Sequence, residues 1–345
     1  YKHAQGISLR VSGYNDKQEA LLREILDAIH SSAFDQQRFE SIRSELIRGL
    51  RNSVAKRPSS QVTDDLREAM SYGEWGEQAL IEQLETMDSA ALRAYSDRFW
   101  AGASAEVLIY GNYERASVEE VSRLVAKVIS AEPPAALPDL KVLRLAAGES
   151  LQYQVDVPHD DTVVAWYLQG AGNTWNDRAA TAMTAQIMKS GFFQQLRTEQ
   201  QLGYVVSAFS WPQMDVPGLV MLVQSPVADA DAVAAAMQSF MEAVEADLDK
   251  DQFARHQAAL VSDILRPDKN MWERAEFYWQ SIAKKQFDFD SREALADAVQ
   301  GFTLESWLAY YNRVFLQNRH SLQVVAPGSR GLLPQGDYQR FDSAE

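Results

Sequence analysis

Two stretches far apart in the chain share a weak pattern. Ala94-Tyr95-Ser96-Asp97-Arg98-Phe99-Trp100 returns as Ala309-Tyr310-Tyr311-Asn312-Arg313-Val314-Phe315. Asp35 and Phe39 are matched by Asp249 and Phe253 at nearly the same spacing, and Arg57-Pro58 resembles Arg266-Pro267. Matches in one order and at an almost constant offset indicate two copies of one unit. In the first copy, alternation over residues 6–12 (Ile7, Leu9, Val11) and the run Leu108-Ile109-Tyr110 predict strands. Between and around them the apolar period predicts helices at 16–30, 39–54, 61–71, 77–86, 89–100 and 118–129. Asp35 can cap the second of these, which would bury Phe39, Ile42, Leu46 and Leu50.

The second copy has an element that the first lacks. Residues 150–217 supply strands at 151–157 and 162–169, a long helix capped by Asn173 or Thr174, and the start of a hairpin (204–211 with 219–224). Helices at 229–247, 250–265, 270–285, 291–299 and 303–316 follow, then a strand at 321–325. Nothing equivalent to 150–217 precedes the first copy, so the chain is expected to begin inside a domain. Strand 6–12 would then have an unpaired edge. The alternative is a first copy that is a smaller, degenerate domain. Ala131-Glu132-Pro133-Pro134-Ala135-Ala136-Leu137-Pro138 is a stiff, extended connector. The domains are therefore placed at 1–131 and 149–330, with a proline-containing linker at 132–148 and a tail at 331–345. The Gly- and Pro-rich stretch from Pro327 onward is expected to fray.

Composition narrows the function classes. Apolar residues at 46% and charged residues at 23% are those of an ordinary globular chain, enough for two cores. The net charge of −15 argues against nucleic acid, which needs a basic face. No apolar run approaches the ~18 residues of a membrane span. The absence of cysteine removes disulfides and thiolate metal sites and fits either periplasm or cytoplasm.

The stretch Phe193-Gln194-Gln195-Leu196-Arg197-Thr198-Glu199-Gln200-Gln201-Leu202-Gly203-Tyr204 reads as the end of a helix, a stop and the start of a strand. Phe193 and Leu196 continue the apolar face of Met183 and Ile187, and Gly203 can take the left-handed conformation that closes a helix. This puts Arg197 near a helix end and Tyr204 at a strand start, facing one cleft. The stretch resembles the signature of the C-terminal half of M16 zinc metallopeptidases of the insulin-degrading-enzyme and pitrilysin group. Val11-Ser12-Gly13-Tyr14-Asn15-Asp16-Lys17-Gln18 is similar to the strand-to-helix turn of that family's third domain.

The resemblance implies an α+β fold of two homologous M16-type (LuxS/MPP-like) domains, each an antiparallel sheet with helices packed on it, the first truncated at its N-terminus. It implies that Arg197 and Tyr204 reach into a zinc site carried by an N-terminal half, where they contact substrate and the developing oxyanion. A guanidinium and a phenol suit that task, each donor being worth about 3–4 kcal/mol of barrier. The family's His-x-x-Glu-His motif, two ligands and a base on one helical face, is not in this chain. Its five histidines, His3, His30, His159, His256 and His320, never fall within five residues of each other. His159-Asp160-Asp161 alone has adjacent carboxylates, and a solvated turn accounts for it. No Gly-x-Ser-x-Gly elbow, phosphate loop or dinucleotide fingerprint is present.

The chain is thus expected to bind no metal and to be inactive alone. Zinc is expected in the other half, and the partners are that half, or a partner subunit, and a peptide substrate. On spacing alone, Arg197 could pair with Glu199 and Tyr204 could be a half-buried strand residue. Phe192, Phe193, Phe209 and Trp211 could line a cleft but fit a core equally well. Two further readings stay open: an inactive M16-derived binding or scaffolding subunit, and a module that adds a peptide strand to an exposed sheet edge. Possession of both Arg197 and Tyr204 favours the peptidase reading over a scaffold.

Overall fold

The computed structural model describes residues 2–3, 5–30, 35–129, 134–137, 141–246, 248–331, 333, 334, 336 and 338–341. In chain order the elements are β1 (Lys2–His3), β2 (Gly6–Ile7), α1 (Asn15–His30), α2 (Gln36–Arg51), α3 (Pro58–Met70), α4 (Glu77–Thr86), α5 (Ser89–Gly102) and α6 (Arg115–Val128). The second part begins with β3 (Ser150–Gln154), β4 (Thr162–Gln169), α7 (Trp175–Phe193), β5 (Val205–Ser210), β6 (Gly218–Ser225) and α8 (Ala230–Ala243). It ends with α9 (Lys250–Ile264), α10 (Met271–Ala283), α11 (Ser291–Gln300), α12 (Leu304–Tyr311), β7 (Ser321–Ala326) and β8 (Gln339–Phe341). The fold is α+β.

Two compact units interleave along the chain. One comprises Tyr1–Asn52, Trp75–Leu140 and Asp268–Ala283, and the other Ser53–Glu74, Lys141–Pro267 and Lys284–Glu345. Helix α3, from the first copy, thus belongs with the second sheet, and α10, from the second copy, belongs with the first unit. Of the proline connector, residues 131–133 and 138 lie outside the described residues, as do 332, 335, 337 and 342–345 of the tail.

The first unit differs from its sequence reading in one respect. Its described strands are only the two-residue β1 and β2, antiparallel with Lys2 opposite Ile7. Residues 8–12 and 108–110 are not strands. Alternation alone does not make a strand where no neighbour takes its hydrogen bonds. The helices show the consequence. Asp35 caps α2 by accepting from the Arg38 N–H at 3.1 Å, as the sequence indicates. Of the expected buried stripe, however, only Phe39 is buried; Ile42 and Leu46 stay about half exposed. Tyr95 is 56% exposed where its repeat partner Tyr310 is 7% exposed.

The second unit is built on a six-stranded sheet in the order β5-β6-β4-β7-β3-β8. It is mixed rather than antiparallel throughout, because β3 runs parallel to both β7 and β8. The tail is not frayed at 339–341: β8 completes the hydrogen bonds of the outer side of β3. Every residue of β4, Thr-Val-Val-Ala-Trp-Tyr-Leu-Gln, is buried, as expected of a strand covered on both faces. Val164, Trp166 and Leu168 face a core shared with α7, α8 and α12. Val163, Ala165 and Tyr167 face the other way, onto Val62, Leu66 and Met70 of α3. Buried glutamines clip covering segments to the sheet: Gln169 bonds the Leu145 N–H at 3.0 Å and the Leu143 carbonyl at 2.9 Å.

Burial pushes the phenols of Tyr167 and Tyr310 up to about 12. Unfolded tyrosines titrate near 10. Below that pH both states keep their protons and the stabilisation is fully present. Between about pH 10 and 12 the unfolded chain loses protons that the native state retains, so stability falls. The urea midpoint is expected to drop from pH 9 to pH 11; an unchanged midpoint would contradict the burial of these phenols.

Candidate functional site

The long helix starts at Thr174, not Asn173. The Thr174 hydroxyl accepts from the Asp177 N–H at 3.2 Å, and the Asp177 carboxylate accepts from the Thr174 N–H, also at 3.2 Å. This reciprocal capping box fixes the first turn. Met183, Ile187, Met188 and Phe192 carry the buried face. Phe192, not Phe193, continues it: Phe192 packs edge-on against Phe240 at 5.2 Å, while Phe193 is half exposed.

Beyond α7 the helix widens into a π-turn over Gln194–Glu199. Leu196, four residues after Phe192 and so on the same face, is fully buried. Gln201, with φ of 52°, makes the left-handed turn that the sequence assigns to Gly203. Gly203 is needed for another reason. A Cβ there would sit 2.1 Å from the Gln224 carbonyl oxygen, so only glycine lets this loop lie on the start of the hairpin.

Arg197 stands on the π-turn, exposed, with no hydrogen-bond or ion-pair partner among the described residues. It does not pair with Glu199. Tyr204 is 49% exposed and precedes β5 rather than lying in it.

Sheet register gathers its neighbours. Val205 lies opposite Gln224, and Ser225 opposite Thr162, so Tyr204, Gln224 and Asp161 meet at one end of three adjacent strands. The Tyr204 hydroxyl donates to Asp161 Oδ2 at 2.8 Å. Gln224 Nε2 donates to the same carboxylate oxygen at 2.9 Å and also to the Tyr204 hydroxyl. Gln224 Oε1 accepts from the Ser59 N–H at 3.1 Å. Gln224 is fully buried and Asp161 nearly so. Partial burial of the hydroxyl, reinforced by the Asp161 carboxylate, holds the Tyr204 phenol above its usual range, with Arg57 opposing. Asp161 and Gln224 carry no local motif; only the strand register makes them part of the site.

His159 is also drawn into this corner. Its Nδ1 accepts from the Asp161 N–H at 3.0 Å, a turn-stabilising role. Among the described residues no group of three or more His, Asp or Glu gathers at metal distance. Trp211 packs edge-on against Tyr167 at 5.5 Å, and Phe209 leans on the α3-side core, so both are structural.

Two family models match. Residues 1–83 match the middle or third domain of peptidase M16, and residues 183–279 match domain 4 of the C-terminal lobe of PqqF-like proteins. The chain belongs to the M16 peptidase family. Insulin-degrading enzyme of Homo sapiens is 26% identical over 333 residues, which is 92% of this chain and 32% of that protein. The A-factor-processing enzyme of Saccharomyces cerevisiae is 25% identical over 337 residues, 94% of this chain and 32% of that protein. The chain thus spans about a third of the length of the curated relatives it matches.

The fold agrees with this M16 assignment. The crystal structure of pitrilysin superposes with a TM-score of 0.88 over 96% of this chain and 36% of that one, at 19% identity. A peptidase M16 inactive domain from Pseudomonas fluorescens superposes with a TM-score of 0.65 over 95% of this chain, at 16% identity.

Among the described residues, no helix of this M16 region is long and apolar enough to cross a membrane.

Proposed function

We propose that this chain is the half of a zinc metalloendopeptidase that carries no metal, forming one side of a peptide chamber and contacting the bound peptide through Arg197 and Tyr204. The observation that supports it most is that one turn-to-strand segment carries both an exposed guanidinium with no partner among the described residues and a phenol held by buried groups. Arg197 makes no hydrogen bond or ion pair with the described residues, and the Tyr204 side chain stays half exposed although its hydroxyl is anchored on Asp161 and Gln224. Hydrolysis of a peptide places negative charge on the former carbonyl oxygen. A guanidinium directed there stabilises it more in the transition state than in the ground state. The zinc, its ligands and the general base would come from the zinc-bearing half, either of the same protein or of a partner subunit.

The test is reconstitution. The purified chain alone is expected to hold far less than one zinc per chain and to leave an internally quenched peptide intact. Added to a zinc-bearing M16 half, it should restore cleavage. If Arg197→Ala and Tyr204→Phe together leave cleavage by the mixture unchanged, the contact role is wrong. If the wild-type mixture never cleaves, the non-catalytic binding subunit becomes the better reading.

A further inference from the structure

Donor and acceptor accounting around Tyr204 fixes the direction of its hydroxyl. A backbone N–H only donates, so the Gln224 atom 3.1 Å from the Ser59 nitrogen is its carbonyl oxygen. The amide NH2 is thereby turned toward Asp161 and Tyr204. A carboxylate only accepts, so the single phenolic proton goes to Asp161 Oδ2, 2.8 Å away. Of the two lone pairs on the Tyr204 oxygen, one receives Gln224 Nε2. The other is left for a group arriving from solvent, on a side chain that is half exposed. That group must be a donor. An incoming carbonyl oxygen could take the phenolic proton only by stripping a nearly buried carboxylate of one of its donors, which is costly.

We propose that Asp161 and Gln224 are positioning residues that turn the Tyr204 proton inward, so that Tyr204 accepts a hydrogen bond from a backbone N–H of an extended peptide. Arg197 is then left as this chain's group for the charge on the carbonyl oxygen. The inference rests on the peptidase reading above for its substrate, but not for the orientation of the hydroxyl.

Two measurements separate these parts. In the chain labelled with [13Cζ]tyrosine, the Tyr204 resonance is assigned by its loss in Tyr204→Phe. The charged and polar groups facing this phenol are Asp161, Gln224 and Arg57. Asp161→Asn is expected to bring its titration down toward about 10; an unmoved midpoint overturns the proposal without reference to catalysis.

In the mixture with a zinc-bearing half, Tyr204→Phe and Asp161→Asn should each raise KM about five- to tenfold, with kcat within about twofold. Asp161→Asn should add nothing in the Tyr204→Phe background. A fall in kcat at constant KM would make Tyr204 a transition-state donor and overturn the proposal. Should Asp161→Asn fail to fold, peptides N-methylated at one residue at a time replace it. One methylation should raise KM for the wild type and not for Tyr204→Phe, and equal sensitivity of the two overturns the assignment. A wild-type mixture that never cleaves counts against the peptidase reading, and an unmoved titration midpoint in Asp161→Asn still overturns the role of Asp161.

Discussion

Arg197→Ala is expected to lower kcat of the assembled peptidase about 100- to 1,000-fold while leaving KM nearly unchanged. The magnitude is that of removing one preorganised donor from a developing oxyanion. The split between kcat and KM follows from the proposed role: the guanidinium would meet a full negative charge only after water has added, so its loss would be felt in the transition state. Arg197 is exposed and unpartnered among the described residues. Its removal should therefore leave the urea midpoint of the chain within experimental error, separating function from stability. Arg197→Lys keeps the charge but loses the planar fork, and should recover only part of the rate. Equal kcat values for wild type and Arg197→Ala, measured with an internally quenched peptide under saturation, would remove Arg197 from the chemistry.

Which features the sequence disclosed follows from the range of the forces that set them. Periodicity and caps are local, so α4 (Glu77–Thr86) and β4 (Thr162–Gln169) fall where pattern alone puts them, and Asp35 caps α2 as read. Pattern alone misplaces elements where a distant partner decides. The alternation at 6–12 and the run at 108–110 look like strands, but strands need neighbours, and the described residues offer only β1 to β2. The C-terminal residues look like a loose tail until β3 presents a parallel edge for β8.

The end of α7 is a subtler case. A 3.6-residue count from Met183 and Ile187 selects Phe193, whereas the buried face runs through Met188, Phe192 and Leu196 in steps of four. Arg197 and Tyr204 were legible because they sit in one continuous signature. Asp161 and Gln224 were not, because they join Tyr204 only through the register of β4, β5 and β6.

The core beneath that signature supplies the other large effect. Trp307→Ala should destabilise the chain by about 3–5 kcal/mol, the range for emptying a buried tryptophan site. Trp307 is fully buried on α12, stacked on Tyr311 at 5.1 Å and 5.9 Å from Phe253. Its indole N–H donates to the Thr184 hydroxyl on α7 at 3.2 Å, and the same hydroxyl donates to the Ala180 carbonyl at 2.8 Å. Truncation thus opens a cavity beside two aromatic rings and removes the indole N–H that donates to α7, the helix leading into the Arg197 turn. Trp307→Phe keeps most of the packing and loses the hydrogen bond, so it should cost about 1–2 kcal/mol. Ile42→Ala on α2 is the control: Ile42 is apolar but half exposed, and it should cost under about 1 kcal/mol. The three urea midpoints should rank in that order. A Trp307→Ala midpoint no lower than that of Ile42→Ala would mean that α12 does not seal the core under α7.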